Sequence, residues 1–234
     1  MRHLYLYVEG QTEQTFANNV LRPHLYQFDV SLDGAILAEI GRKKQQKFRG
    51  GVTRYITFKR GLTNLLKQHN RPEVTISTMI DLYALPDDFP GWAEAEKMRI
   101  DPTKRVIHLE KELAGDINPD STHFIPYIQL HEYEALLFVD PSKMEHFYSE
   151  HPNQIAELRK IADGNPNPEL IDDGKHTAPS KRIIAHLPDY DGAKLVVGPQ
   201  VAERIGLAAL RAKCPHFDQW VKSLEQLGQQ PTTL

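Results

Sequence analysis

Apolar and polar positions along this chain switch repeatedly between a two-residue and a three-to-four-residue period. Residues 3 to 8 alternate and are β-favouring, whereas Thr12 to Tyr26 carries Phe16, Val20, Leu21 and Leu25 on one side, as a helix does, before turn residues near Asp29. Ala35 to Ile40 predicts a second short strand. From Arg54 to His69, Tyr55, Phe58, Leu62, Leu65 and Leu66 recur at helical spacing with lysines and arginines turned outward. Residues 74 to 83 read as the next strand. The segment Ala84 to Trp92 holds two prolines and a glycine and must be a loop. Helical patterns follow at Ala93 to Met98 and Thr103 to Leu113. A further apolar run, Phe124 to Leu130, precedes a short helix over Glu134 to Phe138 that ends at Pro141. The order β-α-β-α-β-α-β argues for an α/β fold in which helices cover a parallel sheet.

Beyond residue 142 the pattern is helical, over roughly 142 to 149, 153 to 163, 180 to 187, 200 to 213 and 216 to 228. The short Lys194 to Val197 run is too brief to count as a strand. The reading is therefore an α/β core over 1–141, a helical C-terminal extension over 142–228 packed on that core, and a frayed tail over 229–234.

Three apolar segments end in acids. The first runs from Leu4 to Val8 into Glu9-Gly10-Gln11-Thr12-Glu13, the second from Ile76 to Ile80 into Asp81, and the third into His131-Glu132-Tyr133-Glu134. Open α/β sheets gather ligands at the carboxyl ends of their strands, so repeated acids there point to a metal site. Magnesium takes hard oxygen ligands, usually one or two carboxylates with waters and substrate phosphate. Glu9 and Asp81 are the leading ligands. Gly10 would let backbone turn tightly and approach a phosphate. Glu13, Asp87, Asp88 and Glu134 are further candidates, each with an ordinary alternative as a turn former or as compensation of a helix dipole. Glu132 and Lys181 join Glu9 and Asp81 as catalytic candidates, and His131 is a candidate acid or base.

Composition narrows the classes. The chain has 234 residues, 40% hydrophobic and 25% charged, with a formal net charge of −3, so it does not advertise nucleic-acid binding by overall charge. Local charge says more. Arg42, Lys43, Lys44, Lys47 and Arg49 form a dense basic run, with Phe48 available to stack on a base. Pro179-Ser180-Lys181-Arg182 reads as a helix start, with Ser180 as cap and Lys181 and Arg182 holding a phosphate. No HExxH, CxxC or P-loop is present, which leaves zinc protease, redox and stand-alone NTPase readings without support. The single Cys214 is expected to be structural. No apolar run approaches the roughly 20 residues that span a bilayer, and no secretory leader is recognisable, so a cytoplasmic protein is expected.

Together these residues carry a family resemblance. The Val8-Glu9-Gly10-Gln11-Thr12-Glu13 start, paired with Asp81 at a later strand end, resembles the Toprim fold of topoisomerases, bacterial primases and OLD-family nucleases. Adding Asp81 to Gly91, His131 to Phe138 and Pro179 to Arg182, the chain is similar to an uncharacterised bacterial family of stand-alone Toprim-like proteins. The resemblance spans residues 1 to about 190. It implies a Toprim-like Rossmannoid sheet and a Mg2+-dependent nuclease, with Mn2+ as a substitute, acting on DNA more than RNA. It also implies a separate ABC or OLD-type ATPase partner in an anti-phage defence setting. One departure stands out: Toprim domains place a second aspartate two residues after the first, and here that position is Tyr83. The rival expectation is a non-catalytic module that binds the ATPase or nucleic acid.

Overall fold

The computed structural model describes residues 1–38, 54–117, 123–171, 174 and 176–229. Strand β1 (Arg2–Val8) leads into α1 (Gln11–Phe16), a π-helical stretch Ala17–Leu21, and α2 (Arg22–Tyr26) without a break. Asp29, at φ 58, turns the chain into β2 (Val30–Leu37). Helix α3 (Tyr55–Gln68) and β3 (Val74–Asp81) follow. A short 3-10 turn, Leu82–Ala84, then leads to α4 (Trp92–Glu96) and α5 (Pro102–Ile117). Two brief strands, β4 (Phe124–Ile125) and β5 (Ile128–Gln129), precede 3-10 segments Tyr133–Val139 and Pro141–His146. The rest is helical: α6 (Pro152–Asp163), α7 (Pro179–His186), α8 (Tyr190–Ile205), α9 (Leu207–Lys213) and α10 (Pro215–Glu225).

All strand pairs are parallel, in the order β2-β1-β3-β4, with β5 pairing β3 beyond β4. The α/β expectation holds: a five-stranded parallel sheet lies between helices. Strand β1 splits its side chains between two cores. Leu4, Leu6 and Val8 join Phe16, Leu158, Ile183, Val201 and Trp220 on one face, whereas Tyr7 joins Phe58, Leu62, Ile80, Val106 and Leu109 on the other. The C-terminal helices thus share the core on one face of the sheet with α1, the π-helical stretch and α2, and the indole Nε1 of Trp220 donates to Ser77 Oγ in β3 at 2.9 Å.

Several elements differ from expectation: the strand read over 74–83 ends at Asp81, with Leu82 and Tyr83 in a 3-10 turn, and the helix read over 142–149 is the 3-10 segment Pro141–His146. Strand β2 (Val30–Leu37) begins five residues before the predicted Ala35, because the left-handed Asp29 delivers Val30 and Leu32 to the core, and Asp33 is the extra residue of a bulge opposite Leu4 and Tyr5; Glu39 and Ile40 of the predicted strand lie outside the described residues. The run 124–130 is cut in two at Pro126, which has no N–H for a ladder. Thr78 bridges the break, its hydroxyl donating to the Tyr127 carbonyl at 2.9 Å and accepting the Tyr127 N–H at 2.8 Å. Residues 194–197 lie inside α8, which starts ten residues before the helix predicted at 200 and stops at Gly206, where φ is 85. No described helix is long and apolar enough to cross a membrane.

Candidate metal centre at the strand ends

Strand order fixes where a site can form. The chain passes from β1 to β2 on one side and returns as β3 on the other, so β1 and β3 flank the point where the order reverses. In open α/β sheets the crevice at that point, beyond the carboxyl ends of the strands, takes the ligand. Glu9 follows β1 directly, Asp81 is the last residue of β3, and Asp81 pairs with Gln129 of β5, three residues before Glu132. His131, at φ 60, occupies a left-handed conformation uncommon for a residue with a Cβ. That turn redirects the chain between β5 and Glu132.

Glu9, Glu13, Asp81, Glu132 and Glu134 are all buried, none more than 8% exposed. Their charges act on one another. Burial, then the charge of Glu13, pushes the Glu9 carboxyl up to about 8, against the lowering effect of the hydrogen bond it accepts from the Asp81 N–H at 3.0 Å. Burial, then Glu9, Glu13, Glu134 and Glu132, holds Asp81 well above the usual carboxylate range. Burial also raises Glu13, although hydrogen bonds from its own N–H and that of Gly10 draw it back. Burial, then Glu132, lifts Glu134 to about 8, with Lys194 of α8 pulling the other way. Like charges desolvated together in this way favour proton uptake or a bound cation.

The donor set suits a hard divalent ion. Only oxygens face the cluster from these five side chains, and Asp81 Oδ1 is buried with no hydrogen-bond partner. Among the described residues no three His, Cys, Asp or Glu side chains are disposed to share one metal ion. Magnesium does not require three, because it is commonly held by one or two carboxylates and keeps several waters. Glu9, held by the Asp81 N–H, and Asp81, with Oδ1 unpartnered, are the candidate pair. At Gly10 a Cβ would lie 3.0 Å from Glu13 Oε2, so the bare glycine leaves room for the Glu13 carboxylate to fold back over the strand end.

Residues 8–225 match the model of a domain of unknown function, DUF4276. The chain belongs to the DUF4276 family. No curated protein and no solved structure matches it. The DUF4276 match runs from the end of β1 to the end of α10 and takes in all five acids.

Other predicted site residues of this DUF4276 chain are placed differently. The Glu132 carboxylate is committed to α7: it accepts the Ser180 N–H, and the Ser180 hydroxyl donates to it at 3.1 Å. Ser180 therefore does not cap the helix. Ala178 stands at the N-cap, and the anion received by this helix start is the chain's own Glu132 rather than a phosphate. Lys181 is exposed, and the Arg182 Nε donates to the Thr177 carbonyl. Asp88 serves the start of α3, its Oδ1 accepting the Tyr55 N–H at 3.0 Å, and Asp87 is exposed. Arg42, Lys43, Lys44, Lys47 and Arg49 lie outside the described residues.

The structure adds residues that the sequence reading passed over. Lys194 and Tyr190 reach the cluster from α8, Lys194 through its charge and Tyr190 through its hydroxyl, which stands 3.5 Å from Glu134 Oε1. The Tyr133 hydroxyl is buried without a partner, and burial, then Glu13, Glu134 and Asp81, raises its pKa. Spacing held a signal for α8: Tyr190, Val197 and Val201 are buried on one helical stripe, and Asp191 and Lys194 form an i,i+3 ion pair at 3.4 Å. Gly192, Gly198 and Pro199 obscured it. A separate cavity of about 430 Å3 opens between α5 and α10, lined by Ile107, Glu110, Tyr127, His216 and Trp220 and by none of the five acids.

Proposed function

We propose that this protein is a Mg2+-dependent phosphodiesterase acting on nucleic acid in the manner of Toprim nucleases, DNA being the preferred substrate and Mn2+ a working substitute. The observation that carries this reading is the convergence of buried acids from three strand ends at the reversal point of the sheet, with Asp81 Oδ1 left unpaired among them. Glu9 and Asp81 would hold the ion. A bound ion would supply Lewis-acid polarisation of a phosphoryl oxygen and a nucleophilic water of lowered pKa.

The chain's own residues supply the frame. The Asp81 N–H fixes the Glu9 carboxylate, and Glu132, by holding α7 through Ser180, keeps the third loop in place beside it. Glu13 supplies further negative charge above Gly10, and Lys194 offsets that of Glu134. The Toprim-like resemblance implies ATP-driven control by a separate ABC or OLD-type ATPase, in an anti-phage setting.

The test is nicking of supercoiled plasmid with Mg2+ or Mn2+, with chelator, Glu9→Gln and Asp81→Asn as controls. Metal-dependent nicking lost in both variants supports the proposal. Nicking that survives both variants removes these acids from the chemistry. A second reading, a non-catalytic binding module in which the acids are structural, draws on the commitment of Glu132 to Ser180. Calorimetry separates the two, because a structural cluster binds neither metal.

A further inference from the structure

The residue that replaces the second Toprim aspartate has an environment of its own. Tyr83 lies in the 3-10 turn immediately after Asp81, and its side chain is 51% exposed, whereas Asp81 is 6% exposed and Leu82 is fully buried. Tyr7, Tyr127, Tyr133 and Tyr190 are each buried to 2% or less. The turn beneath the Tyr83 ring is pinned: its N–H donates to the His131 carbonyl at 3.0 Å, which ties the end of β3 to the turn before Glu132. Burial of its hydroxyl end, then the charges of Asp81, Glu9, Glu132 and Glu134, raises the Tyr83 pKa, so the hydroxyl lies within reach of the acid cluster while half of the residue stays exposed. Tyr83 follows Asp81 by two residues, at most about 7 Å of backbone, so the two side chains leave the chain at neighbouring points of the same strand end.

We propose that Tyr83 is a stacking platform for an unpaired base, so that the substrate is single-stranded nucleic acid with the phosphate of the stacked nucleotide delivered to Glu9 and Asp81. This rests on the phosphodiesterase reading. A cluster of acids repels a polyanion, and attraction at its lip must come from uncharged contacts as well as from the metal. Aromatic rings supply such contacts to any base, because every base has a π-face. Bases inside a duplex have both faces covered, so a fixed ring at the lip selects nucleotides outside the stack.

The experiment is fluorescence anisotropy with a fluorescein-labelled thymidine oligonucleotide, its uridine counterpart and a duplex of equal length, with Ca2+ in place of Mg2+ to suppress cleavage. Tyr83→Ala should weaken binding of the single strands by about 10-fold and leave the duplex unchanged, in line with the usual worth of one stacked base. Tyr83→Phe and Tyr83→Trp should bind as the wild type does, and the introduced indole should be quenched by the oligonucleotide. Thermal melting checks that Tyr83→Ala is folded. Equal affinity of Tyr83→Ala and wild type, equal losses in the Phe and Ala variants, or no binding of single strands by the wild type overturns the proposal. The two readings fail differently. Mg2+-dependent cleavage unaltered in Tyr83→Ala at limiting substrate removes the platform and leaves the phosphodiesterase, whereas ring-dependent binding with no cleavage in either metal removes the phosphodiesterase and leaves a single-strand binder.

Discussion

The Glu9 carboxylate accepts the backbone N–H of Asp81 at 3.0 Å, so the first acid of the cluster is oriented by the main chain of the second. One oxygen of Glu9 is thereby spent on structure, and the Asp81 side chain receives nothing in return on Oδ1. Glutamine at position 9 retains an oxygen for the same N–H and removes one charge from a repelling group. Above pH 8, where Glu9 ionises, Glu9→Gln in chelator should melt higher than the wild type. Each kcal/mol of relief is worth roughly 2–4 °C in a chain of this size. The same variant should lose the upward shift that Mg2+ gives the wild type. A lower melting temperature for Glu9→Gln in chelator would mean that the acids do not destabilise one another.

The pH dependence of the metal-free protein follows from the same charges. Burial and neighbouring acids raise Glu9 and Glu134 from 4.5 to about 8 in the folded state. Between those two values the folded protein binds more protons than the unfolded chain, so stability falls as pH rises. The stabilisation from these groups is complete below the unfolded pKa and is lost as pH passes through the folded one. A bound cation favours the ionised acids, so the Mg2+-induced rise in melting temperature should grow across the same window. Melting curves at a series of pH values, with chelator and with Mg2+, measure both slopes. A chelated protein that gains stability from pH 5 to pH 8 would contradict this linkage.

How legible all this was depended on how local each signal is. Glu9 and Asp81 could be placed from sequence because an apolar run ending in an acid is a short-range pattern, and the strand-end rule then brings the ends together. The commitment of Glu132 to Ser180 joins residues 48 positions apart, and no spacing encodes it. Pro126 was visible as a residue without an N–H, but only the Thr78 hydroxyl explains how the sheet continues past it. Helix α8 was half missed because Gly192, Gly198 and Pro199 read as punctuation, although the tight packing there suits a glycine: a Cβ at Gly198 would stand 3.1 Å from the Tyr190 hydroxyl.

The Glu132 to Ser180 contact makes a prediction about stability rather than chemistry. Glu132→Ala would leave the buried Ser180 N–H and hydroxyl without their acceptor, at a cost of about 1–3 kcal/mol. Ser180→Ala removes one donor and keeps the backbone bond, so its cost should be near 1 kcal/mol. Urea denaturation of the two variants and of Glu132→Gln gives the order directly. Glu132→Gln, which keeps an acceptor oxygen, should fall between Ser180→Ala and Glu132→Ala. If Glu132→Ala is as stable as the wild type, Glu132 does not anchor α7.

Trp220 tests whether the C-terminal helices belong to the sheet or merely rest on it. Its ring stacks on Tyr127 at 4.2 Å with planes 10° apart, while its Nε1 donates to Ser77 Oγ on the central strand β3. Ser77 is fully buried, so Trp220→Phe leaves its hydroxyl without this donor and should cost about 1–3 kcal/mol. Trp220→Ala adds a cavity and should cost about 3–5 kcal/mol. Combining Trp220→Phe with Ser77→Ala removes both partners and should recover part of the loss, a non-additivity that urea denaturation of the four-member cycle resolves. A chain ending after Pro141 would lose Leu158, Ile183, Val201 and Trp220 from the core they share with Leu4, Leu6 and Val8, and is expected to remain unfolded by circular dichroism. Cooperative melting of that shortened chain would show that residues 1–141 fold without the helices that share their core.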